Sequence, residues 1–125
     1  MVNKIIAGLL PYMPQKLIWI FSKRYIAGET INDAIKVSKE LNKKQVLVTI
    51  DILGEFIKTL EEAEKNRDQY LKLIETMEKE KINGNYSVKP TMFGLLLDEE
   101  VCYQHLKAIV AKAASYNSFI RVDME

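Results

Sequence analysis

Val46-Leu47-Val48-Thr49-Ile50-Asp51 is a compact β-branched run set between segments whose apolar residues recur at helical spacing. Upstream, Thr30-Ile31-Asn32-Asp33 opens a helix with Asp33 near the third helical position. Ile31, Ala34, Ile35, Ser38 and Leu41 form its inner stripe, and it should end near Asn42. Further upstream, Pro14 in a first helical turn and Gly28 as a left-handed cap bound a helix over 14–27 carrying Leu17, Ile18, Phe21 and Tyr25. Downstream, Leu53-Gly54-Glu55 reads as a turn and Thr59-Leu60-Glu61-Glu62 as a capping box. The helix behind that box carries Ala63, Tyr70, Leu73, Ile74 and Met77 and should stop at Asn83-Gly84. A strand is predicted over Tyr86–Thr91, a helix from the Asp98 cap to about Ser115, and a last strand over Phe119–Asp123.

The order α, α, β, α, β, α, β implies an α/β fold, because strands alternating with helices join through right-handed crossovers into a parallel sheet. The strand runs begin at Val46, Tyr86 and Phe119, a recurrence of roughly 30 to 40 residues. That suits the βα unit of a (β/α)8 barrel and equally an open doubly wound sheet.

Composition excludes several classes. With 125 residues, 48% hydrophobic and 28% charged, the chain has the make-up of a folded domain. Eighteen basic against 17 acidic residues give a net charge of +1 and no field that would attract nucleic acid. The single cysteine, Cys102, can form neither an internal disulfide nor a cysteine zinc cluster, which fits a reducing, cytoplasmic setting. Pro11, Pro14, Gln15, Lys16 and Lys23 interrupt the apolar amino-terminal stretch far short of the roughly 18 residues of a membrane span, and no signal peptide is read there. No glycine-rich phosphate loop, serine elbow or metal-ligand cluster is present, so no metal is expected.

Side chains alternate across a strand, which sorts each run into two faces. Val46, Val48 and Ile50 oppose Leu47, Thr49 and Asp51; Val88 and Pro90 oppose Ser87, Lys89 and Thr91; Ile120 and Val122 oppose Phe119, Arg121 and Asp123. Parallel strands covered on both sides are usually apolar throughout. These instead pair an apolar face with one that becomes charged towards its carboxyl end, where barrels place their sites. Asp51, Lys89 and Asp123 must therefore pair with each other, water or a ligand, and a zwitterion suits a lumen of both signs. The plainer readings are a structural Lys89–Asp123 ion pair and an Asp51 that fixes a loop.

Thr49-Ile-Asp-Ile-Leu-Gly-Glu55, Ser87-Val-Lys-Pro-Thr-Met-Phe-Gly-Leu95 and Phe119-Ile-Arg-Val-Asp-Met-Glu125 resemble, in order, the first three strand motifs of proline dehydrogenases, and Phe21-Ser-Lys-Arg-Tyr-Ile-Ala-Gly-Glu-Thr30 resembles the segment before that barrel. The resemblance implies the first three βα units of an FAD-bound (β/α)8 barrel over 46–125, preceded by a helical segment over 1–45. It implies oxidation of L-proline to pyrroline carboxylate by hydride transfer to the flavin, with a membrane quinone as electron acceptor. Lys89 matches the lysine that binds the substrate carboxylate. Asp123 matches the aspartate of the substrate pocket, a catalytic position with an electrostatic or orienting role. Pro90 and Met92-Phe93 depart from the Leu and Gln-containing pair of many relatives, at what the resemblance makes the flavin-facing wall. The family's arginine pair and most of its flavin contacts belong to later strands, so the cofactor-binding residues of this chain are not assigned. The expectation is an amino-terminal piece that ends after the third strand, is inactive alone and binds neither FAD nor proline tightly.

Two open edges of a three-stranded sheet invite self-association. A non-catalytic oligomeric module built from the same opening units is the rival function. Leu17, Ile18, Trp19, Ile20 and Phe21 make a helix apolar nearly all round, which reads as buried within a larger protein, with peripheral contact at the inner membrane as the alternative. His105 and Cys102 lie on one helical stripe and read as core residues. The charged run Glu61–Arg67 reads as a solvated helix face.

Overall fold

A computed structural model describes residues 8, 10–23 and 26–124. Contacts divide the chain into two units, one ending at Ala34 and one beginning at Ile35.

The first unit holds a 3-10 turn, Leu10–Tyr12, and helix α1, Gln15–Ser22. Pro14 stands at the cap, one residue before the first turn, and its carbonyl accepts from the Leu17 and Ile18 amides at 2.9 and 3.2 Å. The helix is shorter than the 14–27 expected. Ser22 Oγ donates to the Ile18 carbonyl at 2.7 Å, a side-chain bond that competes with the helical ladder. Tyr25 lies outside the described residues. Helix α1 ends six residues before Gly28, and at Gly28 the requirement is space: a Cβ there would lie 2.2 Å from the Asp33 Cβ. Asp33 takes that position because it closes a reciprocal cap, accepting from the Thr30 amide at 3.0 Å while its own amide donates to Thr30 Oγ1 at 3.2 Å. Leu17, Trp19 and Ile20 are exposed along α1.

Helix α2 runs Ile31–Lys43, and behind it lie β1 (Val48–Asp51), α3 (Leu60–Lys79), β2 (Gly84–Val88), a 3-10 turn (Pro90–Phe93), α4 (Glu99–Ser115) and β3 (Ile120–Val122). The strands form one parallel sheet in the order β1-β2-β3, with Asp51 beside Ser87 and Ser87 beside Arg121. This is an α/β fold with the strand order and crossover helices of the opening of a (β/α)8 barrel.

The capping box at Thr59 and Glu62 is formed, and Asp98 caps α4 by accepting from the Val101 amide. Ala63, Tyr70, Leu73, Ile74 and Met77 make the inner stripe of α3, and Cys102, His105, Ile109 and Ala113 that of α4. With Val48, Tyr86 and Val88 from the sheet they form one buried core. His105 is buried there and its Nδ1 lies 3.4 Å from Arg67 Nη1; burial, followed by that guanidinium, pushes its pKa down. Cys102 Sγ donates to the Pro90 carbonyl at 3.4 Å, and burial raises its pKa.

Several boundaries differ from the sequence reading: β1 starts at Val48 and not Val46, and β3 spans Ile120–Val122 and not Phe119–Asp123. Helix α3 ends at Lys79 and Gly84 begins β2, so Asn83-Gly84 is no stop signal. Gly84 pairs with Val48, and a Cβ on it would meet the Val48 carbonyl oxygen at 2.5 Å, which reserves the position for glycine. The second strand ends at Val88 and not Thr91, because Pro90 has no amide to extend a ladder and starts the 3-10 turn. Met92 and Phe93 are fully buried, Phe93 edge-on to Tyr70 at 5.5 Å, so this pair belongs to the core.

Candidate functional site on the polar sheet face

The apolar faces of the strands meet the helices, which leaves Thr49, Asp51, Asn85, Ser87, Arg121 and Asp123 on the opposite face. Hydrogen bonds run across that face from strand to strand. At its amino end Thr49 Oγ1 donates to Asn85 Oδ1 at 2.6 Å. At the carboxyl end two ionic clusters form side by side.

The first is centred on Lys89, immediately after β2. Its Nζ donates to Asp51 Oδ2 at 3.1 Å and to Glu55 Oε1 at 2.5 Å. The Glu55 bond, followed by the Asp51 bond, holds the ammonium well above the usual lysine range. In return Lys89 leads the effects that hold Glu55 below the usual carboxylate range. Glu55 comes from the irregular segment after β1, where strand alternation assigns no facing, and sequence reasoning gave it no role. Its spacing of four residues from Asp51 was the available signal.

The second cluster is centred on Asp123, just past β3. Ser87 Oγ donates to Asp123 Oδ2 at 2.7 Å, and Arg121 Nε donates to Asp123 Oδ1 at 2.9 Å. The Ser87 bond first, then Arg121 with a smaller contribution from Lys89, depresses the Asp123 pKa. The Asp123 amide donates to the Val88 carbonyl at 2.9 Å, which sets Asp123 beside Lys89 in the continued register. Both side chains thus lie on one face, although they do not form the ion pair weighed from sequence. Lys89 is taken by Asp51 and Glu55, and Asp123 by Ser87 and Arg121.

Two side chains of α3, buried Tyr70 and half-buried Asn66, hold this end of the sheet. Tyr70 Oη donates to the Ser87 carbonyl at 2.7 Å and accepts from the Ile52 amide at 3.0 Å, so one phenol fixes the ends of β1 and β2. Asn66 Nδ2 donates to the Met92 carbonyl at 2.8 Å and reaches the Gly54 carbonyl at 3.5 Å, tying the turn after Lys89 to the loop that carries Glu55. An open groove of about 590 Å³ along that loop is lined by Phe56, Lys65 and Gln69 and shares only Glu55 with the ionic clusters. Among the described residues no group of His, Cys, Asp and Glu side chains could hold a metal ion.

A family model described as proline dehydrogenase matches residues 34–125. The chain belongs to the proline dehydrogenase family. Proline dehydrogenase 1 of Bacillus subtilis (strain 168) is 36% identical over 104 residues, covering 83% of this chain and 34% of that protein. Proline dehydrogenase of Deinococcus radiodurans is 31% identical over 116 residues, 90% of this chain and 37% of that protein. The chain thus spans about a third of the length of these proline dehydrogenases. A crystal structure of proline utilization A (PutA) from Bdellovibrio bacteriovorus inactivated by N-propargylglycine superposes with a TM-score of 0.76 at 23% identity. The match covers 97% of this chain and 15% of that one, a likeness of fold.

The family raises the question of a flavin. A dinucleotide needs cations or free amides for its pyrophosphate. On this face Lys89 and Arg121 are already committed to Asp51, Glu55 and Asp123, three carboxylates to two cations. The residues described here do not by themselves fit FAD. They set charges of both signs side by side on one sheet face.

Proposed function

We propose that this chain contributes the opening three βα units, residues 46–125 behind a helical segment over 1–45, to an FAD-dependent proline dehydrogenase. That enzyme oxidises L-proline to pyrroline carboxylate and passes the electrons to a quinone. Membership of the family supports the reaction, and the flavin supplies the two-electron acceptor. The observation that carries the reading is the adjacency of Lys89 and Asp123 at the carboxyl end of one polar sheet face. Lys89 binds the substrate carboxylate, exchanging one of its present carboxylate partners for it. Asp123, ionised at neutral pH, orients the amine and is too weak a base to carry proton abstraction.

Because the described residues do not complete a flavin site, the 125 residues alone are inactive and bind FAD and proline weakly. An absorbance spectrum of the purified chain tests this: flavin well below stoichiometric is expected, and one bound flavin per chain would overturn it. Among the described residues β1 and β3 each have one sheet neighbour, and Phe119 and Val122 are exposed, which supports self-association through the edges. No helix among the described residues is long and apolar enough to cross a membrane. We place the protein in the cytoplasm, with exposed Leu17, Trp19 and Ile20 covered within a larger protein; liposome flotation with and without Trp19→Ala tests the alternative, peripheral contact at the inner membrane.

A further inference from the structure

We propose that Ser87 and Arg121 are positioning residues that fix Asp123 as an ionised, acceptor-only carboxylate at the edge of the substrate site. The inference deepens the proposed function and rests on it for the identity of the site. Its physical content is separate.

Ser87 is buried, at 2% exposure, although it stands on the polar face. A hydroxyl has one proton and two lone pairs. Arg121 donates to Ser87 Oγ from Nη2 at 2.8 Å and from Nε at 3.1 Å, so the lone pairs face the guanidinium. The one remaining direction carries the proton, and it points at Asp123 Oδ2, 2.7 Å away. Arg121 Nε also reaches Asp123 Oδ1 at 2.9 Å. Oδ2 thus receives the Ser87 hydroxyl proton and Oδ1 the single Nε hydrogen, which it shares with Ser87 Oγ, and these contacts orient the carboxylate and stabilise its charge.

The scaffold makes the arrangement rigid. Ser87 and Arg121 are register partners on paired strands, and the Ser87 carbonyl is held from behind by Tyr70. Among the described residues the other charged group acting on Asp123 is Lys89, whose ammonium adds to the stabilisation of the anion while bonded to Asp51 and Glu55. A protonated Asp123 would accept these donors more weakly than the anion does, so the cluster favours the anion. Such a carboxylate favours an amine in its cationic form.

The test is a carboxyl-carbon NMR titration of Asp123 in the whole chain, without any amino acid present, for wild type, Ser87→Ala, Ser87→Thr and Arg121→Gln. The Asp123 midpoint is expected to move up in Ser87→Ala and Arg121→Gln, and to return towards the wild-type value in Ser87→Thr, which keeps the hydroxyl. A merely structural serine would leave the midpoint where it is. Arg121 is half exposed, so its variant decides the matter if Ser87→Ala fails to fold. Unchanged midpoints in the folded variants would overturn the proposal and leave the proposed activity standing. Shifted midpoints in a protein that never handles proline would remove that activity and leave the positioning role intact.

Discussion

The Lys89 ammonium reaches sideways to Asp51 on the neighbouring strand, 3.1 Å away, and also holds Glu55 at 2.5 Å, while Asp123 beside it answers to Ser87 and Arg121. Two ionic clusters of separate membership therefore share one sheet end. Each has a distinct response to acid.

Glu55 and Asp123 both have depressed pKa values in the folded chain. Their contribution to stability is present above the ordinary carboxylate values, about 4, and is lost as pH falls through the lower folded values. Thermal melts should accordingly drop in that acid window. Lys89→Met should shrink the part due to Glu55 and leave most of the part due to Asp123, whose first partner is Ser87. Melts with the same acid dependence in wild type and Lys89→Met would refute the Lys89–Glu55 link.

Tyr70→Phe keeps the ring against Phe93 but removes the hydroxyl that serves the Ser87 carbonyl and the Ile52 amide. The expected cost is roughly 1 to 3 kcal/mol in denaturant unfolding, the range for stranding buried partners. A change within error would mean that water serves both groups equally well.

Gln45, Lys81 and Asn117 follow the ends of α2, α3 and α4, each with positive φ, and each stands three residues before a strand. The following amide bonds five residues back in all three, as in Ile82 to Met77 and Ser118 to Ala113, both at 2.9 Å. One helix-to-strand connection thus recurs three times. Left-handed backbone costs a residue with a Cβ about 1 kcal/mol, so Lys81→Gly should raise stability by about that amount. A loss of stability in that variant would show that the lysine side chain has a role of its own.

Those connections also show where sequence reading stops. The capping boxes at Thr30 and Thr59 and the Asp98 cap were legible, because each is a local bond between residues three apart. The facing of Asp51 and Asp123 followed from strand alternation. The ends of α2 and α4 fell within a residue of expectation, but that of α3 was hidden, since its left-handed position, Lys81, carries no glycine and the nearby Gly84 serves strand packing. The partners of Lys89 were hidden too. A flexible four-carbon stem can reach either neighbouring strand, and which carboxylate wins depends on Ser87 and Arg121 having already engaged Asp123.

The most direct test of the account is steady-state proline oxidation by a flavin-loaded protein containing residues 1–125, compared between wild type and Lys89→Met. If Lys89 meets the substrate carboxylate, kcat/KM for L-proline falls at least about tenfold, the loss expected for a charge-assisted contact, while the flavin spectrum is unchanged. Equal kcat/KM in the two proteins would contradict the assignment of this sheet face to the substrate.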